Sequence, residues 1–599
     1  MDIAYPQDAL EHPVPPCEAP EAPGVERRAL HLGSGDAALF AWYHDCAGAI
    51  PRDCVAVLCP PIGPEYTRSH RTVRHLADRL ARAGVPALRF DYHGSGDSPG
   101  SEDDADRMGH WRASVVCAAR HARELSGCKH VCLIGVRLGA TLAALAFAET
   151  GAGRLVLWNP VVKGRAYARE LQAIAMTAED SGGAGEHGLE SAGFGISGET
   201  LAALKAIDLT QARFPSEARV LVIARDDMAA DRTRPEHLAR AGVAHDCMAL
   251  PGWNGMMADH QFSVVPDAAL ERIVGWVRSH SLARPAMARP AIAGANSPLH
   301  LPEGEEHLCH FGADDRLFGV LMRPRGAPAT HAIVMLNSGS IHHVGPHRLY
   351  VRLARAAAAL GHASLRFDHD GIGDSVLRGE GVENEPYPDS ATRNVAHAIA
   401  LLRAQGCTSV TLLGLCSGAQ TAFHAGRELA DAPIERLVLI NPWYFYRSAG
   451  AAYAPDSQHY VDVAAYRKSM RDTARWKRLL RGEVDLRRIA RIAGTHAARK
   501  ARAAAAELHE VMNPSGGTRL SRDLRALLAL GRRVWMYEGD GEPAGTVLKT
   551  EARRPLAEAR RRGVMTMEHI PGGDHTFSRS AARDDLISRI CDVLREPVL

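Results

Sequence analysis

Three residues in the second half of this 599-residue chain have the types, order and placement that nucleophilic acyl chemistry requires. Cys416 stands between Gly414 and Gly418 in TLLGLCSGAQTAFHAG, after a strand-like run and ahead of a helix-like one. Glycines so placed permit a sharp strand-to-helix turn and a close approach of strand to helix, which presents the middle side chain at the sheet's edge. Position selects Cys416 over Ser417, which falls one residue late. A helix N-terminus and a neighbouring imidazole would each stabilise a thiolate there. Asp540, ending RRVWMYEGD, and His575, in PGGDHTFS, follow in the order nucleophile, acid, base. Asp574 is a competing acid, but it adjoins His575 in sequence and is read as structural. The backbone N–H of Ser417 supplies one expected oxyanion donor. The second is expected from the earlier loop Asn337–Ile341, with Gly339 and Ser340 as candidates.

The first half runs through the same pattern as VCLIGVRLGATLAALAF, but Arg137 occupies the nucleophile position between Gly135 and Gly139. A guanidinium is no nucleophile at any useful pH. The acid and base positions survive as Asp226 and His260. Arg137 therefore either pairs with Asp226 as a structural ion pair or binds an anionic group. Either way this half reads as a degenerate, non-catalytic copy.

The elements that must position these residues repeat. GVPALRFDYHGSGDS (84–98) is answered by GHASLRFDHDGIGDS (361–375), and RLVLWNP (154–160) by RLVLINP (436–442). ARVLVIARDD and RRVWMYEGDG, then DHQFS and DHTFS, complete four matches in one order, so a domain is duplicated. Each half alternates strand-like and helix-like segments, the pattern of a mostly parallel, doubly wound sheet whose ligands sit at the strands' carboxyl ends. The expected division is a disordered segment over 1–24, a first domain over 25–280, a Pro/Ala-rich linker over 281–304 and a second domain over 305–599. Residues 443–530 are too long for a loop and read as a helical lid. Residues 467–502 carry thirteen Lys or Arg against three acidic residues. They form a solvated lid face, or a docking surface for an acidic carrier protein or the phosphates of CoA.

Composition excludes several classes. With 46% apolar residues, 23% charged residues and a net charge of +2, the chain has no bias toward nucleic acid, and aromatic interleaving of the basic stretch is sparse. No apolar run is long enough for a membrane span. The acidic, Pro-rich N-terminus lacks the features of a signal peptide, and twelve scattered cysteines without C-x-x-C pairs suit reduced thiols, so a cytoplasmic location is expected. His342, His343 and His347 have no carboxylate or Cys at ligand spacing, so no metal is expected; nor is a cofactor. The Gly-x-Gly turns of HGSGDS and DGIGDS lack the Lys or third glycine of a phosphate loop.

The first half resembles the exosortase A system-associated hydrolase 2 family through PALRFDYHGSGDS, GVRLGA and LWNPVVKGRAY. The second resembles the companion hydrolase 1 family through HHVGPHRLYVRLARA, LRFDHDGIGDS, GLCSGA and INPWYFYR. Both belong to the serine-aminopeptidase-like branch of the α/β-hydrolases. The resemblance implies two tandem α/β-hydrolase domains, each with a helical lid, and acyl-group chemistry near acyl-CoA ligases and acyl carrier proteins. The expected function is a cysteine-dependent acyltransferase or thioesterase acting on an ester or thioester, presented by an acyl carrier protein or CoA. The alternatives are a simple carboxylic-ester hydrolase or peptidase, and a non-catalytic binding scaffold.

Overall fold

The computed structural model describes residues 24–177, 188–226, 236–285, 297–377, 381–443, 445–446, 501, 505 and 517–597. The expected N-terminal segment, the middle of the linker, most of the expected lid and nearly all of the basic stretch lie outside them.

The first sheet comprises β1 (Val25–Leu32), β2 (Leu39–Cys46), β3 (Cys54–Cys59), β4 (Ala87–Phe90), β5 (His130–Val136) and β6 (Arg154–Trp158). A short hairpin of β7 (Leu189–Ser191) and β8 (Phe194–Ile196) intervenes before β9 (Arg219–Arg225) and β10 (Ala244–Leu250) complete the sheet. Its strand order is β1-β2-β4-β3-β5-β6-β9-β10. The second sheet comprises β11 (Leu299–Leu301), β12 (Gly304–Phe311), β13 (Leu317–Pro324), β14 (His331–Leu336), β15 (Ala363–Phe367), β16 (Ser409–Leu415), β17 (Ile434–Ile440), β18 (Arg533–Glu538) and β19 (Met565–His569). Its order, β11-β12-β13-β15-β14-β16-β17-β18-β19, repeats the first with one added edge strand. In each, the first strands pair antiparallel and the rest parallel. These are two mostly parallel α/β-hydrolase sheets.

The central strands read as unbroken apolar runs because both faces are covered. Alternation is still visible in what they bury: Ala332, Val334 and Leu336 of β14 pack into one core and Ile333 and Met335 into the other. Helices α1 (Pro64–Arg82), α2 (Leu138–Thr150) and α3 (Gly164–Thr177) serve the first sheet. Helices α4 (Leu349–Ala359), α5 (Ser417–Glu428) and α6 (Ser580–Arg595) serve the second. Helices α2 and α5 each begin at the centre of a sheet, directly after β5 and β16.

Two details differ from the sequence reading. Leu299–Leu301, expected in the linker, pairs antiparallel with β12 as an edge strand. The cap of the first half is not wholly helical, since the β7–β8 hairpin follows α3 and reaches the second half. There Glu190 accepts from the Ser580 amide, and the Gly193 carbonyl accepts from Arg583.

The halves are joined through equivalent surfaces. Phe40 and Trp42 of β2 pack against Phe318 and Val320 of β13, with the Trp42 and Phe318 ring centroids 4.6 Å apart. Beneath them the two LRFD segments exchange ion pairs, Arg89 with Asp374 and Arg366 with Asp97. Arg348 then donates to the carbonyls of Gly94, Gly96, Ser98 and Gly100 across the junction, at 2.7–3.0 Å. A guanidinium's fork of donors suits such a turn of outward carbonyls.

Candidate active site

Cys416 caps the N-terminus of α5 with φ 56° and ψ −114°, a left-handed geometry that costs a non-glycine residue of order 1–3 kcal/mol. The flanking glycines make it possible. A Cβ on Gly414 would lie 2.1 Å from the Gly418 backbone, and one on Gly418 would lie 2.5 Å from the Leu336 carbonyl. The Cys416 amide is pinned to the Ile440 carbonyl at 2.9 Å. Cys416 is half-buried, whereas Cys54, Cys59 and Cys132 are free thiols inside the first half's core.

His575 reaches this elbow from the loop after β19. The loop is fixed by Asn441, whose amide donates to the carbonyls of Asp574 and His575 at 3.1 and 2.9 Å and whose oxygen accepts from the Gly539 amide. Asn441 is the Asn of the repeated NP dipeptide. Its φ of 42° turns its side chain between the acid and base loops. Asp574 builds the turn itself, accepting from the amides of Thr576 and Ser578 at 3.2 and 2.7 Å.

The carboxylate beside His575 is not the Asp540 that the sequence reading expects there. Asp540 is exposed, 3.0 Å from His569, and accepts from the Gly572 amide. The carboxylate on His575 Nδ1 is Glu542, at 3.0 Å, with a side chain only 5% exposed. The chain turns outward through Gly539–Asp540–Gly541 after β18, so the residue at the strand end points away. Two residues later, the longer Glu side chain reaches back. The signal was present in GDGEP as a second carboxylate in the same loop, but order and strand-end position favoured the first.

Burial opposes charge on the His575 imidazole. The neighbouring Cys416 sulfur and the Glu542 carboxylate outweigh burial and hold its pKa well above the usual histidine value. An imidazole flanked by a sulfur on one side and a carboxylate on the other can take a proton from the first and be stabilised as imidazolium by the second. The Trp443 ring stands edge-on to His575, with centroids 4.6 Å apart.

The expected oxyanion donors separate. As the first residue of α5, Ser417 has an N–H with no partner inside the helix. Its hydroxyl bridges to the earlier loop, accepting from the Gly339 amide at 2.8 Å and donating to the Asn337 carbonyl at 3.2 Å. The Gly339 N–H is thereby spent. The Ser340 amide has no partner among the described residues, while its hydroxyl donates to the Asn384 carbonyl at 2.7 Å.

In the first half Arg137 adopts the same elbow geometry, φ 53° and ψ −123°. It does not pair with Asp226, which is exposed. Its Nε donates to Glu65 at 2.9 Å and its Nη2 to both oxygens of Glu170 at 2.5 and 2.6 Å, with Tyr167 beneath the guanidinium. Glu65 sits where the first half's oxyanion loop enters α1, and Glu170 is on α3 of the cap. Neither position is one that a catalytic pattern would single out. His260 does not complete that site either: it lies against Gly339 of the second half.

His343, Asp368 and Asp374 are close enough to suggest a cation site. Both His343 nitrogens are already committed, to Asp368 at 2.8 Å and Asp97 at 2.7 Å, and Asp374 holds Arg89. The group is an interdomain charge network. Among the described residues no helix is long and apolar enough to cross a membrane.

The serine aminopeptidase S33 family model matches residues 66–180. No curated protein matches the sequence. Among solved structures, the chain is similar to Est1E from Butyrivibrio proteoclasticus with ferulic acid bound, at 16% identity and a TM-score of 0.33, covering 42% of this chain and 97% of that one. It is also similar to a thermostable esterase from Pseudomonas putida ECU1011, at 18% identity and a TM-score of 0.31, covering 45% and 86%. A third is XC6422 from Xanthomonas campestris, a serine hydrolase without a lid, at 16% identity and a TM-score of 0.28, covering 43% and 97%. Two mostly parallel sheets of this topology, with residues 66–180 matching the serine aminopeptidase S33 model, give the chain an α/β-hydrolase fold.

Proposed function

We propose that the second half is a cysteine-dependent acyl-transfer catalyst acting on an ester or thioester, with Cys416 as nucleophile, His575 as base and Glu542 as the acid that orients it. The observation that carries this reading is the placement of His575 between the Cys416 sulfur and the Glu542 carboxylate. His575 accepts the thiol proton, and the thiolate attacks the acyl carbonyl carbon. The tetrahedral adduct collapses, expelling the alcohol or thiol, which takes the proton back from His575. The acyl-cysteine then passes its acyl group to water or to a second acceptor, activated by the same imidazole. A sulfur nucleophile suits thioester exchange, because acyl transfer between sulfurs is nearly isoenergetic. This favours a carrier-bound or CoA-bound donor in a reduced cytoplasmic setting.

The test is intact-protein mass spectrometry after exposure to a panel of acyl thioesters. Wild type should gain one acyl mass on Cys416 and Cys416→Ala none. Turnover that survives in Cys416→Ala would end the covalent reading and leave a non-covalent hydrolase or a binding scaffold. Added alcohols or amines that divert product identify a transferase; product that stays hydrolytic identifies an esterase.

A further inference from the structure

The base position of the first half has been carried across the domain junction to the second half's catalytic loop. A Cβ built on Gly339 would lie 2.7 Å from Nε2 of His260 and 3.4 Å from Oε1 of Gln261. Gly339 is thus glycine for two reasons, its φ of 58° and the His260 ring packed on its open face. His260 is also anchored there. Its carbonyl accepts from the Asn384 side chain at 2.8 Å, and the Asn384 carbonyl in turn accepts from the Ser340 hydroxyl at 2.7 Å. From its own half the same carbonyl accepts from the Ser263 hydroxyl at 3.0 Å. The ring is held by its backbone, yet neither ring nitrogen has a hydrogen-bond partner among the described residues.

The same loop keeps the Ser340 N–H but offers one donor fewer than its sequence suggests. The loop that should contribute an oxyanion donor has one of its two candidate amides, Gly339 N–H, bound to the Ser417 hydroxyl. An N–H directed from His260 into the same loop would replace it. We propose that His260 of the first half is a catalytic residue of the Cys416 site, donating a hydrogen bond from Nε2 to the acyl oxygen as negative charge develops on it. The first half would then complete the active site of the second. This inference rests on the covalent reading of Cys416.

The electrostatics suit a neutral donor. Burial, with Arg68 and His575 adding repulsion against the attraction of Asp259, holds the His260 pKa down at about 4. At neutral pH the ring carries one N–H and no charge, so it can polarise a carbonyl without competing with Glu542 for the His575 imidazolium. No bond to His260 forms or breaks, and its proton stays in place throughout.

The experiment uses the full-length chain and p-nitrophenyl acetate, following acetylation of Cys416 by intact-protein mass spectrometry across substrate concentrations. His260→Phe and His260→Ala should lower the maximal acetylation rate by about 10- to 100-fold, with half-saturation little changed. His260→Gln, which keeps an N–H donor, should recover a substantial part. Alkylation of Cys416 by iodoacetamide needs the thiolate but no oxyanion donor, and should stay within about twofold of wild type in all three variants. A His260→Phe enzyme that acetylates at the wild-type rate overturns the inference. So does a variant whose alkylation falls in step with its acetylation, which would make His260 a packing residue. Failure of the parent reading is distinct: p-nitrophenol release would then persist in Cys416→Ala.

Discussion

The guanidinium of Arg366, wholly buried in the second half, is ion-paired with the carboxylate of Asp97 in the first. Its counterpart in the repeat, Arg89, is paired with Asp374, the counterpart of Asp97. Each LRFD segment therefore reaches into the GD turn of the other half, as the two copies of a two-fold dimer would. Removing one partner from such a pair leaves a buried charge uncompensated, at a cost of about 3–5 kcal/mol. Arg366→Met should lower stability by up to about that order in chemical denaturation, because it leaves Asp97 with His343 and Glu306, 3.1 Å from the lost guanidinium, with Arg355. A double substitution with Asp97→Asn should recover part of the loss. Additive effects of the two would show that the pair is not coupled.

The same network predicts a pH dependence. Burial opposes charge on His343, but Asp368 and Asp97 flank it and raise its pKa from the ordinary 6.5 to about 10. A raised histidine stabilises the fold fully below its unfolded value, and that contribution is lost as pH rises through the folded value. The thermal midpoint should therefore fall by several degrees between pH 7 and pH 10. His575 is also held above its usual value, so the readout is the difference from His343→Gln, in which the slope should be shallower. Parallel curves for the two proteins would mean that His343 is neutral in the junction.

The acid can be assigned by a paired substitution. Glu542→Gln should keep the fold but lower the rate of Cys416 acylation by about 10²- to 10⁴-fold, since an amide cannot stabilise the imidazolium. Asp540→Asn should stay within about twofold of wild type, because among the described residues its exposed carboxylate engages only His569 and the Gly572 amide. The reverse outcome would restore Asp540 as the acid.

What could be read from the sequence follows from the range of the interactions involved. The repeat and the strand–helix alternation are local patterns, and both sheets match them. The glycines around Cys416 and Arg137 are legible because a strained elbow demands them whatever the elbow holds. The contact of Glu542 with His575 is not legible in the sequence, because the reach of a side chain after a turn depends on how Gly539–Gly541 bends, which spacing does not encode. The partners of Arg137 lie far away in the chain, whereas Asp226, in register with Asp540 in the repeat, is the acid the pattern offers. His260 matches His575 in the repeat, but its neighbour is decided by how the halves dock. No pattern within either half contains that information.

Restoring a nucleophile in the first half should not create a second active site. In Arg137→Ser the elbow geometry would survive, since φ 53° and ψ −123° match those of Cys416. The base would not be available, because His260 is committed to the Gly339 side of the junction, and Asp226 is exposed with nothing to orient. What the substitution does is release two carboxylates. Glu170 is half exposed and can turn to water, but Glu65 is largely buried, and burial already raises its pKa against the pull of Arg137. Losing the guanidinium should cost about 2 kcal/mol, discounted from a fully buried pair for the partial exposure of Arg137 and its partners. The expected result is a lower thermal midpoint with unchanged acylation of Cys416. Adding Glu65→Gln to Arg137→Ser should recover much of the lost stability, since the neutral amide needs no cation. New acylation at position 137 would show that the first half retains a working base. A loss of Cys416 acylation at unchanged stability would instead make Arg137 a binding residue for the shared substrate.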